Sequence, residues 1–197
     1  MDDLVMHLFR GQTAKHTLTT IKNWIGVIVV TSVLFPATLL GQSSDLGNRS
    51  IEYQIKAAFI ANFIAFTQWP ENITNPITLC LYGEDYFGDH LDQLQNKPKA
   101  NYQIQIQRIN NLNQVDSCQS LFISKSSIDQ LEYILDYLEN RTVLTIADSP
   151  NAAKQGVAIN MDINNEKITF EINLRAARNA NLNISSKLLQ LAISVYQ

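Results

Sequence analysis

This sequence is poor in the residues that metal and nucleotide chemistry use most. It carries two cysteines, three histidines and seven glycines in 197 residues. Only His90 among the histidines lies beyond residue 41, with only Gly47, Gly83, Gly88 and Gly156 among the glycines. One histidine and two cysteines cannot supply the usual four-ligand zinc set. No D-x-D-x-D-G run offers a calcium loop. With glycines so sparse, neither G-x-G-x-x-G nor a P-loop is present. No metal and no cofactor are therefore expected. No serine sits in a G-x-S-x-G elbow, so a Ser–His–Asp reading would rest on His90 with a serine such as Ser124 and Asp85 or Asp148. A surface histidine in the first turn of a helix is the simpler account of His90, and no catalytic residue is expected. Basic clustering is missing too. The 15 Lys+Arg against 18 Asp+Glu leave −3, with no basic stripe to suit nucleic acid.

What is present starts with an address. Arg10, Lys15 and Lys22 precede an apolar run, Trp24 to Leu40, that meets Gly41-Gln42-Ser43-Ser44. Residues 1–41 read as a secretory signal peptide with Gly41 before the cut. The competing reading is an uncleaved anchor, since the run is close to the shortest length that spans a bilayer. Pro36 and the small polar residues after Leu40 favour cleavage. Arg10, Lys15, Lys22, Asp2 and Asp3 together carry +1, so the remainder stands near −4.

The remainder, 42–197, has the composition of one globular domain, at 46% hydrophobic and 17% charged over the whole chain. Asp45–Ser50 reads as a polar lead-in. Glu52–Trp69 has no strand alternation and no breaker before Pro70, which predicts a helix. It is apolar nearly all round, so it is either sandwiched in the core or offers a Phe/Ile surface to another protein. Ile77–Tyr82, Leu121–Ser124 and Arg141–Ala147 are short apolar runs that suit strands buried on both faces. Ile104 and Ile106 alternate with glutamines in a further strand. Val157–Ile163 and Lys167–Asn173 pair as a hairpin across Asn164-Asn165-Glu166. Helices are expected after Phe87, after Ser126 or Ser127, at Leu174, and from Ser186 towards Val195. The expected fold is α/β, a three-layer sandwich with a mostly parallel mixed sheet flanked by helices and a C-terminal β-hairpin.

Export gives the cysteines a meaning. Cys80 lies in one expected strand and Cys118 just before another, so neighbouring strands would bring them within bonding range. The alternative is two buried thiols. Gly83-Glu84-Asp85 and Asp148 end expected strands, where open parallel sheets hold ligands, and they form the candidate ligand-binding set. Such loops are polar in any α/β protein, however. Arg175 and Arg178 are one helical turn apart and could clamp an anion or form a solvated face.

Three stretches, taken together, resemble one family. IKAAFIANFIAFTQWP at 55–70, ITLCLYGEDYFGDHLDQL at 77–94 and ITFEINLRAARNANLNISSKLLQLA at 168–192 are similar, in order, to the YfiR-like family of bacterial exported proteins. The resemblance implies a periplasmic, non-catalytic α/β protein, often a homodimer. It implies restraint of an inner-membrane diguanylate cyclase, or of a sensor kinase, through that partner's periplasmic part. An outer-membrane, peptidoglycan-associated lipoprotein would lift the restraint. Cys80 and Cys118 resemble the family's stabilising disulfide; a second pair found in some members is missing here. Phe59, Phe63 and Phe66 on the first helix, with Arg175 and Arg178, are the candidate partner contacts. A small-molecule sensor is the alternative.

Overall fold

The computed structural model describes residues 43–73, 75–96 and 102–197. The expected signal peptide lies outside the described residues. The chain opens with helix α1 (Ser43–Ala65), a two-residue strand β1 (Thr67–Gln68), strand β2 (Ile77–Tyr82), helix α2 (Asp89–Gln95) and strand β3 (Ile104–Ile109). A 3-10 helix at Leu112–Ser117 leads to β4 (Ser120–Ile123), and another at Lys125–Gln130 leads to helix α3 (Leu131–Tyr137). Then come β5 (Leu144–Ala147), β6 (Ile159–Asn164), β7 (Lys167–Asn173) and α4 (Leu174–Asn179). The chain ends with β8 (Asn183–Ile184), α5 (Ser186–Leu189) and β9 (Ser194–Tyr196).

Seven strands form one sheet in the order β3-β2-β4-β5-β6-β7-β9, and β1 pairs with β8 in a separate ribbon. Every pairing in the large sheet is parallel except β6–β7, the expected hairpin. Asn165 and Glu166 at its tip have φ of 49° and 61°, the left-handed pair that a tight two-residue turn uses. The chain moves from β2 outward to β3 and then returns to the other side of β2 for β4. That reversal makes the carboxyl ends of β2 and β4 a topological switch point.

Strand side chains alternate between faces, and the core divides accordingly. Leu79 and Leu81 of β2, Phe122 of β4, Leu144 and Ile146 of β5 and Phe170 and Ile172 of β7 pack under α1. Cys80, Leu121, Ile123 and Ala147 point the other way, against Leu131, Ile134 and Leu138. Helices therefore cover both faces, as the apolar runs predict. Helix α1 buries Tyr53, Ala57, Ile60, Ala61 and Ile64, spaced at three and four residues, and leaves Ile51 and Ile55 exposed, with Phe66 exposed just past its end. It is covered on one side only, so the sandwiched reading of this helix fails.

Three local expectations shift. The polar residues 45–50 belong to α1 rather than to an unstructured lead-in. Ser124 precedes the 3-10 helix, so α3 starts only at Leu131. The C-terminal helix is a single turn, capped by Ser185, and the chain then extends into β9. Ile193 and Val195 are β-branched and alternate with polar residues, which suits a strand. The Ile193 N–H donates to the Phe170 carbonyl at 2.9 Å and draws the segment onto β7.

Asn173 fastens the end of the hairpin to α4. Its Oδ1 accepts from the Ala176 N–H at 2.9 Å as the helix cap, and its buried Nδ2 donates to the Ala153 carbonyl at 2.8 Å. Asn173→Ala removes the cap and leaves a buried carbonyl without its donor. We expect a loss of about 2–3 kcal/mol in urea unfolding. Asn173→Asp, which keeps the cap alone, should recover part of it.

Candidate functional site

At the switch point the carboxyl ends of β2, β4 and β5 meet the flank of α1. Gly83, at φ +99°, ends β2 so close to the next loop that a Cβ there would lie 2.5 Å from Ser127 Oγ. Only glycine fits both the angle and the space. The Glu84 N–H donates to Ser126 Oγ at 2.8 Å, and the Glu84 carboxylate accepts from the Tyr86 hydroxyl at 2.6 Å. Asp85 Oδ1 accepts from the N–H groups of Phe87 and Gly88, and Oδ2 accepts from Arg108 Nε at 2.7 Å. Each carboxylate of this loop is satisfied by the chain's own donors.

Asp148, at the end of β5, is buried and engaged by α1. Its Oδ2 accepts from the Tyr53 hydroxyl at 2.8 Å and from Lys56 Nζ at 2.7 Å. Lys56 also pairs with Glu52 one turn earlier, and only 4% of the Lys56 side chain and 1% of the Asp148 side chain are exposed. The Lys125 ammonium sits 4.7 Å from the Tyr86 ring centroid and 5.4 Å from that of Tyr53. Tyr53, Phe87 and Phe122 follow edge to face at 4.9 Å spacings. Tyr53 and Lys56 cover this edge on the α1 side. Asp148 Oδ1 is buried with no partner among the described residues, and a cleft of about 500 Å³ lined by Lys125, Glu132 and Ser149 stays open on the α3 side.

Burial, and then the charge and hydrogen bond of Asp148, push the Tyr53 phenol well above its usual range. A phenol whose folded pKa is raised adds stability that is complete below its unfolded pKa of about 10 and is lost at higher pH, where only the unfolded chain ionises. Unfolding free energy should therefore fall as the pH rises from about 9.5 to 11. Tyr53→Phe should flatten that fall, which urea titrations at several pH values would measure.

The candidate partner contacts fall in different places. Phe59 is half-buried, 5.8 Å from the Phe170 ring and 5.9 Å from Phe63, whereas Phe63 is wholly inside the core. Phe66 is exposed, at the end of α1. Arg175 and Arg178 are exposed on α4. Arg175 opens on a polar cleft of about 600 Å³ shared with Asp136 and Lys154, on the α3 side of the sheet. The structure thus gathers Phe59 and Phe63, while Arg175 faces the cleft on the α3 side. Cys80 and Cys118 form the expected disulfide, with a Cα–Cα distance of 5.7 Å.

His90 Nε2 lies 3.2 Å from Ser50 Oγ, not near Ser124. Its Nδ1 is buried with no partner among the described residues, so no carboxylate orients the ring. No group of metal-ligating side chains forms among the described residues. The residues that reading the sequence missed are Tyr53 and Lys56; Lys125 follows an expected strand, as Glu84-Asp85 and Asp148 do, and stands at the same edge. The signal was there for Lys56, a lone charge on the buried stripe of α1, because a buried lysine requires a partner.

A family model described as YfiR/HmsC-like matches residues 53–193. The chain belongs to that family. The YfiR/HmsC-like proteins are periplasmic regulators of cyclic di-GMP signalling, a regulatory and non-catalytic family. No helix among the described residues is long and apolar enough to cross a membrane. No curated protein matches the chain. Among solved structures, the ABC domain in complex with L-Trp from Streptococcus pneumonia is similar at 9% identity and a TM-score of 0.47. A conserved domain protein from Vibrio cholerae is similar at 7% and 0.46. Each likeness covers 73% of this chain, which spans 60% of the other. Likenesses this distant carry no argument about ligand or partner.

Proposed function

We propose that this YfiR/HmsC-like protein is exported and restrains a membrane signalling protein, a diguanylate cyclase, by binding its periplasmic part. The observation that carries this reading over a ligand sensor is that Tyr53 and Lys56 of α1 occupy the switch point and both hold Asp148 through Oδ2. The exposed side of the same helix keeps apolar side chains in solvent, as a binding surface does. Restraint is a population shift, in which the protein binds the inactive arrangement of its partner more tightly than the active one. A competing envelope protein, such as an outer-membrane lipoprotein, would lift it by taking the protein away.

Deleting the gene should raise intracellular cyclic di-GMP, and complementation should reverse the rise. An unchanged level would overturn the cyclase reading. The sensor alternative predicts a ligand that raises thermal stability, with about 2.7 kcal/mol gained at 100 times its Kd. A small-molecule thermal-shift screen that finds no stabiliser supports the interaction protein instead.

A further inference from the structure

Resting on the proposed restraint of a membrane protein, we infer that its contact is a groove between α1 and the tip of the β6–β7 hairpin. We further infer that the occupant is an amphipathic, acidic helical segment of the partner's periplasmic part. The groove, of about 820 Å³, is walled by Ile51, Ile55 and Phe59 of α1 and by Ile163 and Ile168 of the hairpin. Ile51, Ile55 and Ile163 are 56%, 44% and 50% exposed. Ile163 and Ile168 face each other in the hairpin register. Ile163 continues the row of Ile159 and Met161, and Ile168 the row of Phe170 and Ile172, that pack under α1. The groove is therefore the core layer continued past the place where the helix covers it. An apolar strip of that kind, rimmed by polar groups, is a contact surface.

Length and charge choose the occupant. Ile51, Ile55 and Phe59 recur every four residues, so the row runs about 12 Å along the helix, two turns. That is the spacing at which a helix laid in a groove places its own apolar anchors. The rim is basic in a chain of net −3. Lys125 and Lys167 line it with no carboxylate on either ammonium among the described residues. Of the two glutamates there, Glu52 is already taken by Lys56, which leaves Glu166. A second copy of this chain suits the groove poorly, because a two-fold contact would set the same lysines of both copies around one seam. An acidic partner meets both lysines with opposite charge.

The test places a photoreactive benzoylphenylalanine at Ile55 of the full chain in living cells, and at Tyr133 on α3 as the control. Tyr133 is exposed, and α3 packs on the opposite face of the sheet. Irradiation should join Ile55 to a membrane protein with an acidic periplasmic segment, and Tyr133 should give no such product. Lys125→Glu with Lys167→Glu should lower the yield on the order of tenfold, the effect of about 1.4 kcal/mol. Circular dichroism of that variant should match the parent, with Tm lowered only by the loss of the Lys125 contacts with Tyr86 and Tyr53. Lys167→Glu alone, away from those rings, should lower the yield with Tm unchanged. A product joining two copies, or a yield indifferent to the charge reversal, would overturn the groove as an acidic docking site. So would the lack of any product in cells where gene deletion raises cyclic di-GMP. If neither product nor rise is found, the restraint reading falls and the groove with it.

Discussion

Reduction of the Cys80–Cys118 disulfide is expected to lower unfolding free energy by about 3–4 kcal/mol. The bond joins β2 to the segment just before β4 and closes a separation of 38 residues. A cross-link over that length removes this much freedom from the unfolded chain in the loop-entropy account. Both cysteines are buried against the α3 side of the sheet, so the oxidised and reduced proteins keep almost the same contacts. The comparison is therefore best made on one sequence. Protein reduced while unfolded and refolded in reductant should lose about 1.5–2 M from its urea midpoint, for a slope of about 2 kcal/mol/M. A loss under about 0.5 M would show that native packing, not the cross-link, holds β2 to β4. Since β2 lies one strand in from the edge strand β3, the reduced protein should loosen first at β2, β3 and the intervening α2, which amide exchange would report.

Asp148→Ala should cost about 3–5 kcal/mol, because it strands a buried ammonium and a buried phenol at once. Glu52 still faces Lys56 in that variant, so the lower end of the range is the better expectation. Lys56→Met should cost a comparable amount by leaving Asp148 without its cation. Asp148→Leu and Lys56→Met made together should cost much less than the sum of those same two changes made singly, since a buried pair replaced by packed apolar groups is often near neutral. Additive costs would mean that each side chain acts through packing alone. The expected non-additivity also bears on function, because this pair fixes the N-terminal half of α1 on which Ile51 and Ile55 stand.

The strands and the two-sided core were legible because the relevant signals are local. Ile77–Tyr82 is apolar throughout and is buried on both faces, and Asn165-Glu166 turns where asparagine tolerates positive φ. The fate of the C-terminus was less legible. Ser185-Ser186 caps a helix by its chemistry, but the hydrogen bond from Ile193 to Phe170, far back in sequence, ends that helix after one turn. The candidate site divides in the same way. Gly83, Glu84, Asp85 and Asp148 do gather at one sheet edge, as their positions after strands imply. No local pattern could show that α1, nearly a hundred residues before Asp148, would come to cover that edge. The phenylalanines carried a similar ambiguity: spacing alone does not say that Phe63 turns inward while Phe66 faces out.

The most direct measurement of the central claim is cyclic di-GMP in double deletions. The gene for this protein is removed first, and then each membrane cyclase with a periplasmic part is removed in turn. Restraint of such a cyclase predicts a rise in the first strain that one particular second deletion abolishes. A rise that survives every one of those second deletions, or no rise at all, would contradict it.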